Sequence, residues 1–178
     1  MKLVLIGIQG AGKSTQGNML SEALGIPYLS SGHIFRQMAK GRGKLGRWLK
    51  ETLNAGVLVA DDTTVEIVMK YLKREEYRNG FIIDGFPRTV AQVEAFTDGT
   101  EKVVFIDVSD KEALWRISGR EDNREDETLG AIRKRISLFH EKTKEVLDYY
   151  EKVGRLIRVN GEQSIQGVFN EIMEKLDQ

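Results

Sequence analysis

The sequence predicts an α/β fold in three layers: a five-stranded parallel sheet between helices, with a small helical insertion. Three observations predict it. Five short runs, residues 2–8, 27–30, 80–85, 102–108 and 155–160, are rich in Val, Ile, Leu and Phe. They lack strict alternation, as strands covered on both faces do. Segments with helical spacing lie between them, the signature of parallel strands joined by crossover helices. A glycine-rich turn follows the first run and opens the first helical segment.

Residues 13–24 form the first helix, directly after the first strand. Residues 31–59 fit no simple strand–helix alternation and read as an inserted helical subdomain. Gly32, Gly41, Gly43, Gly46 and Gly56 supply it with hinges. Residues 63–74 place Val65, Val68, Met69 and Leu72 on one helical face ahead of the third strand. Residues 119–128, Gly-Arg-Glu-Asp-Asn-Arg-Glu-Asp-Glu-Thr, are a charged loop. A long helical region covers residues 129–153. Ile165, Val168, Phe169, Ile172, Met173 and Leu176 make the apolar stripe of the last helix. The core is thus expected in residues 1–30 and 60–178, with the insertion at 31–59 and the short loop at 119–128.

A chain of 178 residues is long enough to bury one sizeable core. Its 27 basic and 27 acidic residues balance. That argues against a general nucleic-acid or anionic-membrane surface. There is no cysteine, which excludes disulfides and thiolate zinc sites and fits a reducing compartment. No apolar run approaches the ~20 residues that span a bilayer. A cytoplasmic protein is expected, monomeric by default.

Gly7-Ile8-Gln9-Gly10-Ala11-Gly12-Lys13-Ser14 matches the phosphate-loop pattern G-x-x-x-x-G-K-[ST]. An apolar strand precedes it and a helix follows, the context in which the pattern has meaning. Glycines let backbone N–H groups converge on phosphate oxygens, and the helix N-terminus adds its positive end. Gly10 to Thr15 are therefore expected around the phosphates of a nucleoside triphosphate. Lys13 would reach the β- and γ-phosphates, and the Ser14 hydroxyl would ligate Mg²⁺. The fold class is that of a P-loop NTPase.

Three further motifs concern what receives the phosphate. Asp84-Gly85-Phe86-Pro87-Arg88-Thr89 ends the third strand. Ligands of open α/β sheets bind beyond the carboxyl ends of strands. Asp84 is therefore expected near the metal, acting through water, and Arg88 toward an anion. Ser30-Ser31-Gly32-His33-Ile34-Phe35-Arg36 follows the second strand. There Gly32 allows close approach and Arg36 offers a second cation, although Ser-Ser-Gly is also a plain N-cap signal. The third set is Arg116, Arg120, Arg124 and Arg135. Arginine suits phosphate because its planar fork bonds two oxygens at once. The alternative is pairing with Glu121, Asp122, Glu125, Asp126 and Glu127 on a solvated surface.

With these motifs in this order, the chain resembles the nucleoside monophosphate kinases, and the adenylate kinases most closely, over nearly its whole length. The resemblance implies ATP in the phosphate loop and AMP between the core and the insertion. Ser31 and Arg36 would contact AMP, and Val57, Leu58 and Val59 would offer backbone contacts to its base. Gly85, Phe86, Pro87 and Arg88 would hold its phosphate, and Gln92 would read the adenine edge. Arg120 would cover the ATP side, with Arg116 against its base or phosphates and Gln163 beside the base. Arg124 and Arg135 would bridge the two sets of phosphates. Lys13, Arg88, Arg120, Arg124 and Arg135 would carry catalysis. The implied reaction is reversible, Mg²⁺-dependent transfer of the ATP γ-phosphoryl group to AMP, giving two ADP.

The chain also departs from the family pattern. His33 stands where adenylate kinases usually carry an Asp that helps hold metal-bound water, so Asp84 is left to do this alone or His33 substitutes. Ser31 replaces a usual Thr and Ser14 a usual Gly. The lid is reduced to residues 119–128 and has no cysteine for structural zinc, a short-lid form. Closure over the substrates then falls mostly to the insertion. Asp122-Asn123-Arg124-Glu125 also resembles a run in UMP/CMP kinases, but the alignment adopted preserves the eleven-residue spacing of Arg124 and Arg135. A UMP/CMP or other monophosphate kinase is the alternative; Thr89, Gln92 and the Ser31 hydroxyl lean to AMP. A catalytically silent nucleotide-binding module is more remote.

Overall fold

A computed structural model describes residues 1–96, 99–119 and 128–177. All five expected strands form: β1 (Lys2–Ile6), β2 (Tyr28–Ser30), β3 (Phe81–Asp84), β4 (Lys102–Asp107) and β5 (Leu156–Asn160). They make one parallel sheet in the order β2-β3-β1-β4-β5. Register sets Leu5 beside Asp84, and Ser30 beside Asp84 on the other side. The phosphate loop, the Ser30–Ser31 turn and the Asp84 turn therefore leave the same edge of the sheet. β1 stops at Ile6, short of the expected Ile8. The chain turns there, and the Gly7 and Ile8 carbonyls accept bonds from Lys13 Nζ at 2.7 and 2.9 Å.

Each sheet face is covered, as the non-alternating runs require. Leu3, Leu5, Val104 and Ile106 pack with α1 (Lys13–Leu24), α6 (Asp110–Ser118), α7 (Leu129–Leu138) and α9 (Ile165–Leu176). Val4, Ile6, Val103 and Phe105 pack with α4 (Asp61–Leu72), α5 (Val90–Ala95) and α8 (Lys144–Lys152). The insertion contains α2 (Ser31–Ala39) and α3 (Lys44–Asn54), and Phe35, Leu49 and Val59 form its own small core. Helix starts obey capping chemistry: Ser30, Thr89, Ser109, Thr128 and Ser164 each accept a backbone N–H of the turn they open.

Two helices have no counterpart in the hydrophobic pattern. Helix α5 has only six residues, and α6 sends Trp115 out to solvent at 70% exposure, which breaks the apolar stripe. The helical region 129–153 is continuous, but Phe139–Thr143 is a π-helical turn between α7 and α8. Most of the expected lid, residues 120–127 with Arg120 and Arg124, lies outside the described residues. No helix of the described residues is long and apolar enough to cross a membrane.

Helix α1 carries a notch. A Cβ at Gly17 would lie 2.4 Å from Cε2 of Tyr28. Alanine would gain up to ~1 kcal/mol of helix propensity there. Overpacking against a ring whose hydroxyl is also tied down costs about 1–3 kcal/mol and wins. Gly17→Ala is expected to lower the urea midpoint of unfolding without changing the slope of the transition.

Candidate active site

The phosphate loop is built on left-handed glycines. Gly10 has φ 93° and Gly12 φ 88°, conformations that L side chains rarely adopt. At Gly10 a Cβ would also meet the Ala113 carbonyl at 2.6 Å, so α6 packs directly on the loop. The loop braces itself: Ala11 N–H donates to Ile8 O at 3.1 Å, and Lys13 spans the same turn. Gly10, Gly12, Lys13 and Ser14 line a deep cleft above the sheet edge. Ala11 is buried in the core behind the loop, and Thr15 is exposed outside the cleft lining.

Across the cleft stands the turn after β3. Asp84 is only 6% exposed, and its Oδ2 accepts the Tyr28 hydroxyl at 2.6 Å. Burial, with the Asp84 charge and hydrogen bond adding to it, pushes the Tyr28 phenol well above its ordinary range. Tyr28 is therefore an O–H donor at any working pH. Gly85 takes φ 73°, and its carbonyl accepts Arg88 Nε at 2.6 Å. The Phe86–Pro87 peptide is cis. Burial lowers the pKa of the Arg88 guanidinium; the Asp84 charge opposes that, and the Arg135 and Arg36 charges reinforce it. Three cations and one carboxylate thus converge on this end of the cleft.

The Arg88 backbone is pinned by groups distant in sequence. Its N–H donates to Gln92 Oε1 at 2.8 Å, and its carbonyl accepts Thr143 Oγ1 at 3.3 Å from the π-helical turn. Gln92 Nε2 donates in turn to Asp61 Oδ1 at 2.7 Å, and Thr89 Oγ1 donates to the same oxygen at 2.9 Å. Asp61 and Thr143 are site residues that the motifs did not reveal. An acidic residue in a helix's first turn reads as dipole complementation, and a π-turn has no local sequence signature. Gln92 is 1% exposed and reaches the cleft with its amide already engaged at both ends.

The insertion forms the third wall. Arg36, Val57, Leu58 and Val59 line the cleft, as do Gly85, Phe86 and Pro87 opposite. The Ser31 hydroxyl is wholly buried and has no hydrogen-bond partner among the described residues. It lies against Gly85, where a Cβ would come within 2.5 Å of it. Arg135 of α7 donates to Leu53 O of α3 at 2.8 Å and to Gln9 Oε1 of the phosphate loop at 3.4 Å. It links insertion and loop across the cleft. Gly56, at φ 68°, lets the insertion rest on the backbone of Ala131.

Other expected residues lie elsewhere. Arg116 donates to Glu112 Oε1 at 2.7 Å and to Gly161 O at 2.9 Å. Gln163 is exposed and bonds Asn160 O at 2.9 Å and the Glu171 carboxylate. These two flank the turn between β5 and α9, outside the cleft lining. His33 is exposed and also outside it. Asp84 is consequently the only carboxylate among the described residues lining the cleft.

The donors fit magnesium. The Ser14 hydroxyl and Asp84 carboxylate are hard oxygens on the same cleft, and Mg²⁺ prefers one or two such ligands plus substrate phosphates and water. Among the described residues no three His, Cys, Asp or Glu side chains gather into a metal cage.

Comparison with known proteins agrees with this geometry. The family profile described as "Adenylate kinase" matches residues 5–155. An adenylate kinase of Caldicellulosiruptor bescii is 34% identical over 212 aligned positions, covering 99% of each chain. One of Kocuria rhizophila is 39% identical over 185 positions, covering 99% of this chain and 98% of the relative. One of Thermosipho africanus is 34% identical over 209 positions, covering 97% and 98%.

Proposed function

Since the chain belongs to the adenylate kinase family and is an ATP:AMP phosphotransferase, giving two ADP reversibly, we propose how its cleft divides that work. The carrying observation is the meeting of the phosphate loop with Arg88, Arg36 and Arg135 around one cleft. Such a site brings two polyanions together. Each contacting pair of like charges repels by ~1 kcal/mol in water-like surroundings, and by more once water is excluded. Cations fixed by the fold offset this without reorganising during the reaction.

ATP phosphates occupy the loop N–H groups from Gly10 to Thr15, and Lys13 swings from the Gly7 and Ile8 carbonyls to meet them. Arg116 and Gln163 lie beside the ATP base. AMP sits beneath the insertion: Arg88 and Arg36 take its phosphate, Ser31 supplies a hydroxyl, and the 57–59 backbone and Gln92 meet its base. Arg135 and Arg124 would bridge the two sets of phosphates, and Arg120 would cover the ATP side. No protein nucleophile is needed, because an AMP phosphate oxygen attacks directly, so alignment and charge stabilisation carry the rate. Ser14 and, through water, Asp84 would hold magnesium, which would supply charge neutralisation on the triphosphate.

The lid is short. The alignment with the C. bescii relative spans 212 positions, so at least 34 have no counterpart in these 178 residues. The K. rhizophila alignment spans 185. We place the missing residues at 119–128 and assign closure chiefly to the insertion, which Arg135 already ties to α7. A cytoplasmic monomer accords with this reading.

A coupled assay with ATP, Mg²⁺ and AMP, UMP, CMP or GMP tests the assignment. ADP formation strongly favouring AMP is expected. Preference for a pyrimidine monophosphate would overturn the roles of Gln92 and Ser31, and silence with all four would overturn the catalytic reading.

A further inference from the structure

Two departures meet at Asp84. His33 is exposed and lies outside the cleft lining, so no second carboxylate stands beside Asp84 among the described residues there. The Asp84 side chain makes one hydrogen bond among the described residues, the 2.6 Å bond from the Tyr28 hydroxyl to Oδ2. A lone carboxylate acting through water is useful only if its free oxygen has a fixed direction, because a rotating carboxylate spreads its lone pairs over many orientations.

The fold reaches Asp84 with a phenol by an unusual route. Tyr28 begins the edge strand β2, and its ring crosses to the helix that follows the phosphate loop. Gly17 of that helix leaves the gap it occupies, since even a methyl there would overlap the ring. β2 and β3 pair in parallel with Tyr28 opposite Ile82, two residues before Asp84, and the length of the ring carries its hydroxyl along the strands to the carboxylate. Helix, edge strand and carboxylate are thus joined through one ring. Its hydroxyl takes Oδ2, and Oδ1 accepts no bond from the described residues.

We infer that Tyr28 is a positioning residue, whose hydroxyl holds Asp84 Oδ2 so that Oδ1 faces the hydrated metal of the bound nucleotide. This rests on the proposed role of Asp84. Tyr28 touches no substrate in this scheme; it acts only through the carboxylate.

Tyr28→Phe keeps the ring in the Gly17 notch and removes only the donor. The test measures Mn²⁺ affinity of the enzyme–ATP complex by electron paramagnetic resonance, and ATP affinity without metal by calorimetry. Tyr28→Phe is expected to weaken Mn²⁺ affinity roughly 10-fold, the lower end for an outer-shell partner. Metal-free ATP affinity and the KM for AMP stay unchanged. In an Asp84→Asn background, Tyr28→Phe adds nothing. Unchanged Mn²⁺ affinity in Tyr28→Phe, with Asp84→Asn weakening it, would overturn the role of Tyr28 alone. Unchanged affinity in Asp84→Asn would overturn the reading of Asp84 as well. Equal loss of metal-free and metal-bound affinity would reduce Tyr28 to a packing role and overturn the inference.

Discussion

Arg88→Ala is expected to lower kcat/KM for AMP by about 10³-fold, roughly 4 kcal/mol of lost transition-state stabilisation, while the protein stays folded. The structure supplies the reason for both halves. Arg88 spends only Nε on the protein, donating to Gly85 O at 2.6 Å, and its terminal amino groups bond no other described residue. Those groups are the fork proposed for the AMP phosphate. The guanidinium is also held in place at a cost: burial depresses its pKa and Arg135 and Arg36 repel it, although the Asp84 charge opposes this. Removing a buried cation that lacks a bonded anionic partner relieves desolvation and repulsion. The lost Gly85 bond and the Asp84 attraction offset that relief, so thermal stability should change little as activity collapses. Arg88→Lys keeps the charge and loses the fork, and should sit between the two. Steady-state kinetics with AMP varied, beside a thermal melt, checks this. A kcat/KM within a few-fold of the parent would remove Arg88 from the phosphate site.

Lys13→Met is expected to lower kcat by a similar factor, ~10³, with a different stability signature. Lys13 Nζ donates to Gly7 O at 2.7 Å and Ile8 O at 2.9 Å. These bonds close the loop on itself, and in the proposed scheme they are exchanged for ATP phosphates during binding. Methionine abolishes them and leaves two partly buried carbonyls without that donor, at about 1 kcal/mol. The free enzyme should thus melt slightly lower, unlike Arg88→Ala. Kinetics with ATP varied and a melt of the free protein measure the contrast. A variant that retains kcat and loses only stability would show that Lys13 is a structural brace.

Much of this was legible locally. Phosphate-loop residues are neighbours in the chain, and a strand before them with a helix after suffices to orient their N–H groups. The strands announced themselves as apolar runs because both faces are covered, and α9 as a stripe. Helix α5 stayed hidden because six residues are too few for a period to register, and α6 because Trp115 points to solvent. The Asp84–Thr89 turn was visible as a motif, but not that Gln92 would be spent on positioning the Arg88 backbone and bonding Asp61.

By itself the sequence determined the α/β class and the phosphate loop, because those depend on periodicity and on residues a few places apart. Only the tertiary structure decided which groups cooperate. Tyr28 meets Asp84 across 56 residues, Gln92 meets Asp61 across 31, and Arg135 meets Leu53 across 82. Those bonds follow from the strand order β2-β3-β1-β4-β5 and from how the insertion rests on α7. A hydrogen bond is satisfied at about 3 Å by any suitable donor, so its partner is chosen by packing and leaves no periodic trace along the chain.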